Sequence, residues 1–166
     1  EELRSRFCEL TRRSYVITPN LTEALPFFTE KKNGGDLEGT AKGIRGPADG
    51  RDPGDRCALA RKFSLPAVVI TGVDHREEGQ PLKMGNLVLE NGNSSWIFAE
   101  KSGGSYSGTG DLFASVLSAA GKKIFHENLA ELAVDFISAS IRDAVEEGTD
   151  RNDGVCFEQH LGMLLP

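Results

Sequence analysis

The sequence predicts an α/β layer structure, a single unit over residues 1–166, in which strands alternate with helices. Three observations carry that expectation. Ala67-Val68-Val69-Ile70-Thr71-Gly72 is a continuous apolar run ending in glycine, the pattern of a parallel strand covered on both faces. Asn128 to Val145 places Leu129, Leu132, Ala133, Phe136, Ile137, Ser140, Ile141 and Ala144 on one face of a long helix. Ser107-Gly108-Thr109-Gly110-Asp111 is a glycine-rich turn set directly before a further helical pattern, Leu112 to Ala120.

The other elements follow in order. Glu1 to Thr11 carries Leu3, Phe7 and Leu10 at helical spacing and opens without a cap, as if the sequence began inside a helix. Tyr15 to Thr18 reads as a short buried strand stopped by Pro19, and Leu21 to Phe28 as a short helix broken at Pro26. Residues 31–55 are rich in Gly, Asp and Lys and nearly devoid of large apolar side chains, so a loop or disordered insertion is expected there. Cys57 to Phe63 closes it with a helical turn or two. Asn86 to Glu90 and Ser94 to Glu100 flank Asn91-Gly92, a strong hairpin signal, with Trp96 packing in the second strand. The charged residues of the long helix, Glu131, Asp135, Arg142 and Asp143, read as a solvated face.

A chain of 166 residues, 39% hydrophobic, is long enough to bury a core. Its net charge of −6 favours neither nucleic acid nor an anionic membrane as partner. No apolar run approaches membrane-spanning length, and the first residues do not resemble a signal peptide. Cys8, Cys57 and Cys156 are widely spaced, which suits reduced thiols in a cytoplasmic protein better than a structural zinc site. His75, His126 and His160 have no partners at informative spacing.

The turn at 107–111 carries the chemistry. Glycines let the backbone aim several N–H groups one way, and the helix that follows adds the positive end of its dipole. A phosphoryl group would be held there. Asp111 would repel such an anion, unless it takes the proton from a hydroxyl attacking the phosphorus. The bland alternative is an ordinary helix start with Asp111 as N-cap. The turn matches neither the P-loop nor the dinucleotide pattern. Asn20 and Glu23, three apart after a strand end, read either as oxygen ligands or as a cap and the residue reaching back to it.

Three segments in order, Ile17-Thr18-Pro19-Asn20-Leu21-Thr22-Glu23-Ala24, Val68-Val69-Ile70-Thr71-Gly72 and Gly108-Thr109-Gly110-Asp111-Leu112-Phe113, resemble the C-terminal half of the pyridoxal kinases, in the ribokinase-like superfamily. The resemblance runs from Tyr15 to about Val145 and is weakest over 31–55, where the family usually has a helix. It implies a three-layer α/β/α ribokinase-like fold, C-terminal half only. Thr109 with Asp111-Leu112-Phe113 looks most like the pyridoxal kinases; sugar kinases more often carry Ala at the first position, and hydroxymethylpyrimidine phosphate kinases often replace the aspartate with cysteine.

The resemblance implies ATP-dependent phosphorylation of the 5'-hydroxymethyl of pyridoxal, pyridoxine or pyridoxamine. It makes Asp111 the general base and the N–H groups of Gly108, Thr109 and Gly110 the anion hole. Thr71, with Gly72 allowing the approach, would contact an ATP phosphate; Asn20 and Glu23 would serve Mg2+ and its waters, and a monovalent cation is a further cofactor to test. Lys101 matches a lysine near the nucleotide, with a solvated lysine as the alternative. Tyr106 is placed beside the adenine, with a core aromatic as the alternative. Members of the family are longer than this chain, so it is expected to be part of a longer kinase or a reduced, non-catalytic nucleotide-binding remnant. A lone half would leave a sheet edge and apolar faces uncovered, so association with a second copy as a homodimer, or with the other half, is expected. Another ribokinase-like kinase, acting on a sugar or a hydroxymethylpyrimidine, is the remaining alternative.

Overall fold

The computed structural model describes residues 2–28, 65–119 and 127–165. The expected insertion at 31–55 and the turn at 57–63 lie outside them. The elements are α1 (Glu2–Arg13), β1 (Val16–Ile17), α2 (Leu21–Phe28), β2 (Ala67–His75), β3 (Lys83–Glu90), β4 (Asn93–Glu100), α3 (Thr109–Ala119), α4 (Glu127–Glu147) and a 3-10 helix (Glu158–Leu164). The four strands form one mixed sheet in the order β1-β2-β3-β4. β1 pairs parallel with β2, Val16 opposite Ala67 and Ile17 opposite Val68. The N–H of Asn91 bonds Pro66 O at 3.3 Å, so the end of β3 lies beside the start of β2, which makes that pair antiparallel.

The chain packs as two compact units, one of residues 1–75 and 85–96, the other of 76–84 and 97–166. In the first, Val68, Ile70 and Val73 of β2 and Leu87 and Leu89 of β3 are wholly buried, joined by Ala24 of α2 and Leu65. Ile17, Leu21 and Trp96 pack against this cluster. Each fully buried Val, Leu or Ile side chain contributes about 1.5–3 kcal/mol. In the second unit α3 packs on α4, and α4 on the 3-10 helix.

Several boundaries differ from expectation for identifiable reasons. β2 continues past Gly72 to His75, because Gly72 takes φ +70° within the strand and the burial changes there from continuous to alternating. β1 is only Val16–Ile17 and is half-buried, with Tyr15 exposed. α2 runs through Pro26 to Phe28: the proline deletes one backbone donor, and the carbonyl deprived of it belongs to Thr22, which is exposed. Asn91 and Gly92 both take positive φ, 49° and 84°, the conformation that a two-residue hairpin turn requires. α3 is buried on one face only, through Phe113, Val116 and Leu117, at i, i+3 and i+4.

α4 ends two residues beyond Val145. Gly148 at φ +71° donates its N–H to Val145 O at 3.3 Å, and the Thr149 N–H bonds Ala144 O at 2.9 Å. These two bonds are the Schellman closure of a helix. Asp143 is not merely a solvated charge, since its Oδ2 lies 2.8 Å from Nε2 of His160 on the 3-10 helix. A partner seventeen residues away leaves no local spacing to read.

Candidate functional site

In the second unit, the stretch from Ser107 to Asp111 forms the entry to α3. Gly108 takes φ +78°, a conformation that glycine adopts at no steric cost. Its carbonyl accepts the first helical bond, from the Leu112 N–H at 2.9 Å. Gly108 is therefore the N-cap, and Asp111 is the third residue of the helix, in its first turn. That corrects the expectation of Asp111 as the cap. The N–H groups of Thr109, Gly110 and Asp111 belong to the first turn, where helix geometry supplies no acceptor. The Thr109 hydroxyl is turned back onto Tyr106 O at 3.2 Å, leaving this residue's N–H as its contribution to the turn.

Ser107, Gly108, Asp111 and Ser115 line one side of an open depression of about 410 Å³. Asn152, Asp153, Gly154 and Phe157 line the other. The two sides are tied by the Ser107 N–H, which donates to Arg151 O at 2.9 Å. Asp150 shapes the second side, accepting at Oδ1 from the Asn152 N–H at 2.8 Å and from Asn152 Nδ2 at 3.0 Å. A Cβ placed on Gly108 or Gly110 would meet no atom of the described residues within 4 Å. Asp111 is exposed, and its backbone carbonyl accepts from Ser115 Oγ at 2.8 Å.

Lys101 follows β4, is exposed, and donates its N–H to Leu82 O at 3.1 Å. Tyr106 is buried at 8% exposure, with its ring beside Gly103, the packing of a core aromatic. Neither residue lines the depression. The residues on its far side were missed because they follow the long helix. The turn-forming Asn152-Asp153-Gly154 was the signal available there.

In the first unit a separate group forms where β1 and β2 run side by side. Asn20 bridges Thr71 in parallel, and the Thr71 N–H bonds Pro19 O at 3.0 Å. Thr71 is half-buried and Gly72 exposed. Asn20 and Glu23 form a reciprocal cap at the start of α2: the Asn20 N–H donates to Glu23 Oε2 at 3.0 Å, and the Glu23 N–H to Asn20 Oδ1 at 2.9 Å. The structure thus brings Asn20, Glu23, Thr71 and Gly72 together, as it does Gly108, Thr109, Gly110 and Asp111.

Solved structures match this architecture over nearly the whole chain. A protein from Bacteroides thetaiotaomicron assigned to the phosphomethylpyrimidine kinases, in a crystal form with pyridoxal, superposes with TM-score 0.69 at 25% identity. It covers 96% of this chain and 52% of its own. The pyridoxal kinase of Lactobacillus plantarum gives TM-score 0.67 at 21% identity, over 97% of this chain and 52% of its own. The fold is ribokinase-like. The pyridoxal kinase of Leishmania donovani, in complex with ADP and pyridoxamine, gives 0.64 at 19% identity over 99% of this ribokinase-like chain and 52% of its own. The chain therefore spans about half the length of the structures it matches. No protein-family profile and no curated protein sequence matches it. Among the described residues, no helix is long and apolar enough to cross a membrane, and no three His, Cys, Asp or Glu side chains group as metal ligands.

Proposed function

We propose that this chain is the C-terminal, ATP-binding half of a ribokinase-like kinase that phosphorylates the hydroxymethyl group of a pyridoxal-type substrate. The observation that carries the proposal is the turn at Gly108–Asp111, whose two end residues, Gly108 and Asp111, line one open depression at the start of α3. The N–H groups of Gly108, Thr109 and Gly110 hold the phosphoryl oxygens as charge grows on them. Asp111 accepts the proton of the substrate hydroxyl while its oxygen bonds to the γ-phosphorus; the bond from that phosphorus to the β,γ-bridging oxygen breaks, and ADP leaves. Gly110 supports the assignment. Among the described residues no neighbour demands a glycine there, whereas a phosphate approaching the backbone would.

Thr71 and Gly72, at the carboxyl end of the β1-paired part of β2, are assigned to ATP phosphate and Lys101 to the nucleotide, while the buried Tyr106 is read as core packing. Mg2+ supplies charge neutralisation on the phosphates when bound. Glu23 fits a role toward it: the cap uses only Oε2, and the side chain is exposed, so its second oxygen is available to a metal-bound water. Asn20 would orient Glu23. A monovalent cation and a homodimeric state are kept in the proposal, as is a cytoplasmic location. ADP in the Leishmania donovani complex supports the nucleotide assignment.

The deciding experiment uses the full-length protein with ATP and a panel of pyridoxal, pyridoxine, pyridoxamine and hydroxymethylpyrimidine. Asp111→Asn is expected to lower kcat about 10²–10⁴-fold, the usual worth of a positioned base, while ADP affinity is kept. Turnover at the wild-type rate in that variant would remove the base from Asp111. Hydroxymethylpyrimidine as the preferred acceptor would favour the second reading, supported by the Bacteroides thetaiotaomicron match.

A further inference from the structure

The loop from Ser102 to Gly108 leads straight into the proposed phosphate turn, and it contains three glycines and three serines among its seven residues. Tyr106 is the one buried side chain of this loop; the residues on either side of it are small and bring little packing of their own. Arg151, next in sequence to the opposite wall, meets the loop at two points. The carbonyl of Arg151 accepts the Ser107 N–H at 2.9 Å, one position before Gly108. The guanidinium of the same residue lies flat over Gly104, close enough that a Cβ on Gly104 would stand 2.8 Å from Nη2 and 2.5 Å from Nη1. A side chain on Gly104 would force the guanidinium of Arg151 to move from this position. Gly104 does not have a positive φ, so the absence of a side chain, not a special backbone conformation, is what the contact uses. Among the described residues no carboxylate pairs with Arg151, so an ion pair does not account for where its side chain lies.

We infer that Arg151 is a positioning residue for the nucleotide site: by covering Gly104 it fixes the 102–108 loop, and through it the N–H groups that open α3. This rests on the reading of that turn as the phosphate site. A guanidinium is suited to the task because its planar face stacks on a peptide while its edges stay hydrated. Arg151 follows α4 through the closure at Gly148, so the loop is referenced to the longest helix of its unit.

The test uses the full-length protein with two substitutions that attack the contact from opposite sides, Arg151→Ala and Gly104→Ala. Hydrogen exchange without nucleotide comes first. Both variants are expected to exchange faster across 102–108, with α4 unchanged, and exchange at the wild-type rate in both would overturn the inference. ADP titration then follows by calorimetry. A rise in Kd of about tenfold in both variants, with Tm within two degrees of wild type, is expected for a positioning role at this site. A loosened loop with wild-type ADP affinity overturns that role. If wild type itself binds no ADP while the loop still loosens, the nucleotide reading fails, and Arg151 is left as a structural clamp only.

Discussion

Gly110 separates what the fold needs from what the proposed chemistry needs. It lies in the first turn of α3, where glycine costs up to about 1 kcal/mol relative to alanine, and a Cβ there meets nothing among the described residues within 4 Å. Gly110→Ala is therefore expected to stabilise the protein by up to about 1 kcal/mol in urea denaturation while weakening ADP binding, a trade of the kind functional sites show. Loss of stability would mean that the helix entry is strained in a way the backbone does not show. Cys156 gives a second prediction at this scale. The Thr149 hydroxyl, 3.5 Å from Sγ, pulls the thiol pKa down, but the hydrogen bond to Glu147 Oε2 at 3.2 Å, partial burial, and the charges of Glu147 and Glu158 outweigh it. The net shift is upward. A raised thiol pKa means that the reactive thiolate forms at higher pH, so alkylation of Cys156 stays slow through neutrality. Glu147→Gln should move the alkylation midpoint to lower pH, followed at this cysteine by peptide mass spectrometry. An unchanged midpoint would exclude Glu147 as a cause.

At the scale of elements, the start of α2 serves as both a cap and a proposed metal site, and two substitutions tell these apart. Asn20→Ala breaks the reciprocal cap and should cost about 1 kcal/mol of stability. Glu23→Gln preserves the hydrogen-bonding pattern, since glutamine also closes a capping box, and should leave stability nearly unchanged. If Glu23 serves Mg2+, the same variant should need more Mg2+ for half-maximal turnover; an unaltered Mg2+ requirement would reduce Glu23 to its cap. Elements governed by local rules were legible. The Asn91-Gly92 hairpin, the run at Ala67–Ile70 and the cap at Asn20 each follow from residues a few positions apart. The extension of β2 past Gly72 was not legible, because glycine there reads as a strand end until a neighbouring strand keeps the ladder going. The end of α4 was legible in principle from Gly148, whose left-handed backbone closes it.

For the molecule as a whole, nucleotide binding should be visible as stability. A ligand that binds only the folded state adds about 2.7 kcal/mol at a concentration one hundred times its Kd. ADP titrated into the full-length protein should therefore raise Tm in a concentration-dependent way, and the rise should be smaller in Gly110→Ala. A Tm indifferent to ADP would argue for a fold retained without its nucleotide. Mg2+ can be varied in the same assay, which separates its contribution from that of the turn.

The sequence by itself determined the α/β class, the order of the elements and the three motifs, because each depends on short-range periodicity, turn chemistry or residue type. The ribokinase-like likeness followed from those motifs standing in order. Tertiary structure decided which residues meet. It brought Asn152–Gly154 and Phe157 to the Asp111 depression, joined Asp143 to His160 across seventeen positions, and laid Arg151 over Gly104. Asn152-Asp153-Gly154 announces a turn, but nothing in the sequence announces which residues meet. The contacts arise where α4 reverses at Gly148 and returns the chain past the start of α3, and the packing of helices on one another sets that return.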